Sequence, residues 1–170
     1  MSDCVEKTAG DKWTDETLEE KLVARLKELD ETICFAESCT GGMCSARLVN
    51  VPDASKVMAL GLVTYAEEMK VRYLGVSEET LAKYSVVSSE VAGEMALGAV
   101  RASGADVGVG ITGLAGPGDW NGIPAGTVCF GFSYHGEMRS ERLHFDGDRN
   151  AVRDAACEHV FRVLTEEILV

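Results

Sequence analysis

The chain has 170 residues, 46% hydrophobic and 26% charged, which is enough for one domain that buries ~70% of its unfolded surface. Its net charge of −12 argues against a general nucleic-acid binder, because phosphate contacts need clustered Lys and Arg. For the same reason any anionic ligand must be held by local features against a repelling global field.

No apolar run reaches membrane-spanning length, and the N-terminus has no signal-peptide pattern. Six cysteines are scattered at 4, 34, 39, 44, 129 and 157 without C-x-x-C spacing, the usage of a reduced, cytoplasmic protein. His135, His144 and His159 fall in a turn, an edge strand and a helix, with no second ligand at a recognised spacing. No metal or cofactor is therefore expected, and neither a membrane nor a nucleic-acid partner.

In chain order, residues 1–12 are polar and expected to be loose. Leu18, Leu22, Leu26 and Leu29 recur at helical spacing and predict an amphipathic helix from about Asp15 to Leu29. The short apolar run Thr32-Ile33-Cys34-Phe35 predicts a strand. It feeds Ala36-Glu37-Ser38-Cys39-Thr40-Gly41-Gly42 and then a helix through Met43, Ala46 and Leu48. With Thr40-Gly41-Gly42 as the helix's first turn, unpaired N–H groups and the macrodipole would favour an anion or an oxyanion there. Ser38 and Cys39 stand at its mouth, and both are potential nucleophiles. An ordinary capped β–α turn has the same outline.

The stretch Val57–Tyr65 is almost wholly apolar and reads as a buried strand. Lys70 follows Tyr65 by five residues, about 140° of helical rotation, so the two converge only if Tyr65 closes the strand and Lys70 begins the next helix. Short helices and turns fill 71–87. Ser88 then caps a helix with Val91, Met95 and Ala99 on one stripe and Ala92, Ala96 and Val100 beside it. In Asp106–Gly113, Val107, Val109 and Ile111 alternate with Gly108, Gly110 and Thr112. The bare glycine face invites a close helix, while Thr112 and Gly113 at the strand's end are candidate ligand contacts. Leu114–Ala125 is a glycine- and proline-rich loop of a length that is often functional. Val128, Phe130, Phe132 and Tyr134 make the apolar face of a further strand. His135-Gly136 turns it into an edge strand, Met138–Phe145. Gly147-Asp148-Arg149 opens a last helix buried through Val152, Ala156, Val160 and Val163. This order predicts a three-layer α/β/α sandwich with a mixed, mostly parallel sheet and an antiparallel edge hairpin. Its strand ends would gather Ser38, Tyr65, Lys70 and the Gly113 loop along one edge.

Seven segments in order resemble one known family, the CinA C-terminal domain, also known as nicotinamide-mononucleotide amidohydrolase. They are AESCTGG (36–42), VTYAEEMK (63–70), LGV (74–76), VS followed by EVA (87–92), TGLAGPG (112–118), GTV (126–128) and GDR (147–149). The resemblance implies a cytosolic, metal-independent enzyme that hydrolyses the carboxamide of nicotinamide mononucleotide to nicotinate mononucleotide and ammonia. It also implies a serine nucleophile at Ser38 with lysine and tyrosine partners at Lys70 and Tyr65.

Two segments depart from that family. Asp119-Trp120-Asn121-Gly122-Ile123-Pro124 replaces a longer glycine-rich loop with a lysine before its proline. Ser85-Val86-Val87-Ser88 replaces glycine-alanine-valine-serine. The large N-terminal domain of some members is not in this chain, so the stand-alone form is expected.

Amide hydrolysis needs a nucleophile, a base, an oxyanion site and a proton donor for ammonia. Ser38 offers the hydroxyl, and a desolvated Lys70 offers base and acid, with Tyr65 as relay or orienter. The amides of Thr40, Gly41 and Gly42 are candidates for the oxyanion. Arg149 with the Gly113–Gly118 backbone, including Gly116, is the candidate phosphate site. Two rivals stand beside this reading: a non-catalytic nucleotide-sensing or partner-binding domain, and a thiol hydrolase using Cys39. Homo-oligomerisation is left open.

Overall fold

The computed structural model describes residues 16–170. Residues 1–12, expected to be loose, and the expected helix start at Asp15 lie outside that range. The first helix, α1 (Leu18–Leu29), begins after Thr17, which caps it in a reciprocal capping box with Glu20. It buries Leu22, Val23 and Leu26.

Five strands follow: β1 (Ile33–Glu37), β2 (Met58–Val63), β3 (Val107–Leu114), β4 (Thr127–Tyr134) and β5 (Glu137–His144). They form one sheet in the order β2-β1-β3-β4-β5. β1 pairs in parallel with both β2 and β3, and the β3–β4 and β4–β5 ladders are antiparallel. Four of the five strands therefore point the same way. The other helices are α2 (Met43–Leu48), α3 (Glu67–Leu74), α4 (Glu78–Tyr84), α5 (Ser89–Ser103) and α6 (Arg149–Val163).

The helices divide between the two faces of the sheet. α1, α2 and α6 cover the Ile33, Phe35, Val109, Ile111, Phe130 and Phe132 side chains in one large core. α3 and α5 cover Cys34 and Ala36 on the opposite face, in a smaller core built around Leu74, Val91, Met95 and Ala99. This is the α/β/α sandwich. Among the described residues no helix is long and apolar enough to cross a membrane.

β2 differs from its sequence reading. Its apolar run is an edge strand whose residues alternate between half-buried and exposed, not a strand enclosed on both sides. The continuous burial expected there belongs to β1, every residue of which is buried between two neighbours. A second addition is the π-helical turn Leu164–Ile168, which prolongs α6.

The glycine face of β3 is explained by α5. A Cβ on Gly108 would lie 2.3 Å from the Ala96 carbonyl oxygen, and one on Gly110 would lie 2.2 Å from that of Ala92. Gly131 on β4 meets the same Ala92 carbonyl at 2.2 Å. The helix backbone thus rides directly on the strands, and no side chain fits between them. Gly110→Ala is expected to push α5 off the sheet and cost about 3 kcal/mol or more. Chemical denaturation checks this, and a loss within ~0.5 kcal/mol would show that α5 yields freely at that point.

Candidate active site

The ladder register assembles the site. Glu37 sits opposite Val63 on one side and Ile111 on the other, so Ser38, Thr64 and Thr112 form the next row. Two backbone bonds hold that row: the Ser38 amide donates 2.9 Å to the Ile111 carbonyl, and the Thr64 amide 2.9 Å to the Glu37 carbonyl. This is the carboxyl-end edge of parallel strands, where α/β sheets bind ligands.

A short connection from β2 into α3 brings Lys70 to the same row from below. It is the fourth residue of α3 and fully buried. Its Nζ lies 3.0 Å from Ser38 Oγ, 2.7 Å from the Thr64 carbonyl oxygen and 3.2 Å from the Tyr65 carbonyl oxygen. No ion pair to a carboxylate is formed by Lys70 among the described residues. Burial, opposed first by the negative charge of Glu67, pulls its pKa down to about 8.

Three oxygens around one nitrogen suit either protonation state. A neutral amine donates its two hydrogens to the carbonyls and turns its lone pair to the Ser38 hydroxyl, whereas an ammonium donates to all three oxygens. A group that must take a proton and later return it needs no rearrangement here.

The helix start behind Ser38 is built differently from its sequence reading. α2 begins at Met43, with Gly42 at the N-cap and no side-chain cap of its own. Its free amides are taken by the fully buried Glu37 carboxylate, which accepts from Gly42 N at 2.9 Å, Cys44 N at 3.2 Å and Ser45 N at 2.9 Å. The Ser45 hydroxyl adds a fourth bond at 2.8 Å. The Gly41 amide donates to the Ser38 carbonyl. Gly41 and Gly42 are therefore not the oxyanion donors expected: their N–H groups are already used, one by an internal carboxylate that occupies the anion site itself. The Cys39 and Thr40 amides make no such backbone bond among the described residues. Of the expected trio, only Thr40 has an amide without a backbone partner among the described residues; the residue is fully buried, and its hydroxyl is without a partner, as is that of Thr64.

A cleft of about 280 Å³ opens over Ser38, bordered by Cys39, Tyr65, Glu67, Thr112, Gly113 and Arg149, with Val86, Val87 and Trp120 closing the far side. Thr112 and Gly113 therefore stand where the sequence reading put them. The Thr112 hydroxyl, however, is spent on the Val86 carbonyl, 2.8 Å away, and so pins the 85–88 segment against β3. Gly113 is required by packing, since a Cβ there would lie 2.7 Å from the Thr127 carbonyl oxygen and 3.2 Å from Cys39 Sγ.

Tyr65 and Arg149 form a second unit at the rim. The Tyr65 side chain is 61% exposed, and its hydroxyl accepts a 2.9 Å bond from Arg149 instead of facing Lys70. Only the Tyr65 carbonyl touches the lysine, so the phenol is not a relay between Lys70 and Ser38 in this arrangement. Arg149 also donates 2.7 Å to the Gly116 carbonyl, which explains the role of Gly116: it anchors the guanidinium through its backbone.

Cys39 is 6% exposed, and burial pushes its thiol up to about 12. A thiolate is thus strongly disfavoured where the hydroxyl of Ser38 is assisted.

Two site residues escaped the sequence reading. Glu37 was visible as a residue of the quoted motif; the signal that marks it is a helix opening on glycine, whose amides must find an acceptor elsewhere. Arg153 lies one turn beyond Arg149 on α6. It donates 3.1 Å to the Cys39 carbonyl and 2.9 Å to the Thr40 carbonyl, clamping the turn after Ser38 from the other side. Among the described residues no group of three or more His, Cys, Asp or Glu is placed to hold a metal ion.

Glu37→Ala removes the acceptor of three amides, one buried and two half-buried, and of a hydroxyl. A loss of about 3 kcal/mol or more in unfolding free energy is expected, together with loosening of the Ser38 turn. Denaturation combined with amide exchange at Gly42, Cys44 and Ser45 checks it. Unchanged protection at those amides would show that α2 does not rely on the carboxylate.

The chain matches the CinA C-terminal domain family over residues 15–168. A Clostridium acetobutylicum protein named as competence-damage inducible is 44% identical over 156 residues, covering 91% of this chain and 38% of that protein. A CinA-like protein of Kosmotoga olearia is 44% identical over 143 residues, covering 84% of this chain and 35% of its own length. The chain thus spans well under half the length of these relatives. Among solved structures, a CinA superfamily protein of Enterobacter cloacae superposes with TM-score 0.88 at 34% identity over 96% of this chain and 100% of that one. One of Klebsiella pneumoniae does so with TM-score 0.86 at 36% identity, over 88% of this chain and 94% of that one. In sequence and in fold, this chain belongs to the CinA C-terminal domain family.

Proposed function

We propose that this domain hydrolyses the carboxamide of nicotinamide mononucleotide, giving nicotinate mononucleotide and ammonia, with Ser38 as nucleophile and Lys70 as its base. The observation that carries this reading is the 3.0 Å contact between a buried, carboxylate-free lysine nitrogen and a serine hydroxyl at a cleft floor. The ordered motifs of the family support the choice of substrate.

In the first step, neutral Lys70 takes the Ser38 proton as Oγ bonds to the amide carbon. The carbonyl electron pair moves onto oxygen, for which the Cys39 and Thr40 amides, free of backbone partners among the described residues, are the candidate donors. The resulting Lys70 ammonium returns the proton to the amide nitrogen, the C–N bond breaks, and ammonia leaves an ester on Ser38. Water then attacks that ester with Lys70 again as base, and the acid departs as the Ser38 hydroxyl re-forms. Arg149, steadied by Tyr65 and the Gly116 carbonyl, offers its exposed guanidinium to the phosphate.

Ammonia release from nicotinamide mononucleotide tests the reading directly. Ser38→Ala is expected to lower turnover by at least 10³-fold while the protein stays folded, and Cys39→Ala by far less. The reverse ranking in two folded variants would move the chemistry to the thiol.

The lysine has its own signature. kcat/KM is expected to rise with pH through an apparent pKa of about 8. Lys70→Met is expected to abolish turnover without abolishing binding, and Lys70→Arg to give no rescue, because arginine stays protonated. Stability carries the same sign. The folded value is below the 10.5 of a free lysine, so the unfolded chain binds more protons between about 8 and 10.5. Wild type should therefore gain stability relative to Lys70→Met as pH rises across that window. A constant difference there, or a wild-type rate in Lys70→Arg, would end the general-base role.

A further inference from the structure

The loop that departs from the family's pattern builds one wall of the cleft. Asn121 and Gly122 both have positive φ and turn the chain so that Trp120 and Ile123 pair, with Trp120 N to Ile123 O at 3.0 Å and Ile123 N to Trp120 O at 2.8 Å. Asp119 Oδ1 accepts a 2.9 Å bond from the Ala125 amide at the loop's base. Trp120 is thus presented from a preformed two-residue turn, with its side chain 42% exposed.

A second cavity, of about 340 Å³, lies beside the Ser38 cleft. Glu67, Val86 and Trp120 border both spaces and form the wall between them. An exposed indole and an exposed carboxylate therefore share one wall of a cleft whose rim carries Arg149. In a chain of net charge −12, no further acidic group is needed for solubility at that point. An aromatic face with a carboxylate beside it is the surface that attracts a flat cation. The opposite arrangement, a guanidinium, attracts an anion.

We propose that Trp120 and Glu67 form a subsite that selects a cationic aromatic ring bearing the reacting carboxamide. The indole packs against the ring, and the carboxylate balances its charge. The proposal rests on the hydrolytic reading and specifies how this chain, with its altered loop, recognises the ring half of the substrate, while Arg149 serves the anionic half. The ligand class is an N-alkylated pyridinium carboxamide; the uncharged free base lacks the charge that the wall recognises.

The test separates ring recognition from turnover. Ser38→Ala protein is titrated by calorimetry with 1-methylnicotinamide, a phosphate-free cation, and with neutral nicotinamide. The cation is expected to bind about tenfold more tightly. Trp120→Leu, which keeps an apolar side chain, should reduce that preference to about twofold or less, and Glu67→Gln should reduce it by several-fold. With Ser38 intact, both variants should raise KM for nicotinamide mononucleotide; Trp120→Leu should leave kcat within about threefold, while Glu67→Gln should also move the pH profile of kcat/KM to lower pH, because it removes the negative charge that holds up the Lys70 pKa. Equal binding of the two probes, no measurable binding of the cation, or an unaltered preference in both variants would overturn the subsite. Ammonia release by the wild type with unchanged KM in both variants would overturn it while leaving the hydrolytic reading in place. A retained preference for the cation with no ammonia release would uphold the subsite and remove the hydrolytic reading.

Discussion

A lysine nitrogen sealed from water without a carboxylate partner is the constraint around which this fold is arranged. Desolvation acts against its charge, and the two carbonyl oxygens of Thr64 and Tyr65 offset that only in part. The balance leaves Lys70 able to hold or release a proton near neutrality. Everything close by preserves that balance. The carbonyls of Thr64 and Tyr65, in the short connection that follows β2, reach the amine, α3 starts directly after so that the lysine stem stays under the sheet edge, and β1 delivers the hydroxyl of Ser38 from the adjacent strand. A carboxylate at hydrogen-bond distance would stabilise the ammonium and remove the basicity.

Charge is nevertheless used freely one layer further out. Glu37 is buried completely, yet three amides and a hydroxyl surround its two oxygens, so it is satisfied within the turn and leaves Lys70 alone. It replaces the side-chain cap that a glycine N-cap lacks. Arg153 approaches the same turn from α6 and holds its carbonyls, while Glu37 holds the amides that follow. Ser38 therefore sits on a backbone fixed from both directions by hydrogen-bonded ionic groups. At the cleft rim Arg149, Glu67 and Trp120 retain exposed surface.

The same economy governs α5. Its close seat on Gly108, Gly110 and Gly131 draws the helix against the sheet and leaves no room on that strand face, while the cleft opens at the strand ends beside Ser38. Thr112 then ties the segment that precedes α5 to the end of β3, so that the back wall of the cleft is continuous with the core.

The sequence by itself determined the element order, the helix cap at Ser88, the start of the last helix at Gly147-Asp148-Arg149, the hairpin at His135-Gly136 and the close helix on the glycine face. These follow from local periodicity and from backbone conformations that few residues adopt. It also singled out Ser38, Lys70 and Arg149, because each stands near a boundary where a strand or loop meets a helix, and the Thr112–Gly113 strand end, because a bare strand face runs there into a glycine- and proline-rich loop. Only the tertiary structure decided that apolar β2 lies at the edge, since hydrophobicity marks a strand without stating how many neighbours it has. Only it turned the Tyr65 hydroxyl to an arginine 84 residues away, gave the α2 amides to Glu37, and brought Arg153 to carbonyls more than 110 residues distant. Those partnerships depend on which side chain reaches an unsatisfied group first once the chain has packed. No local pattern encodes that competition.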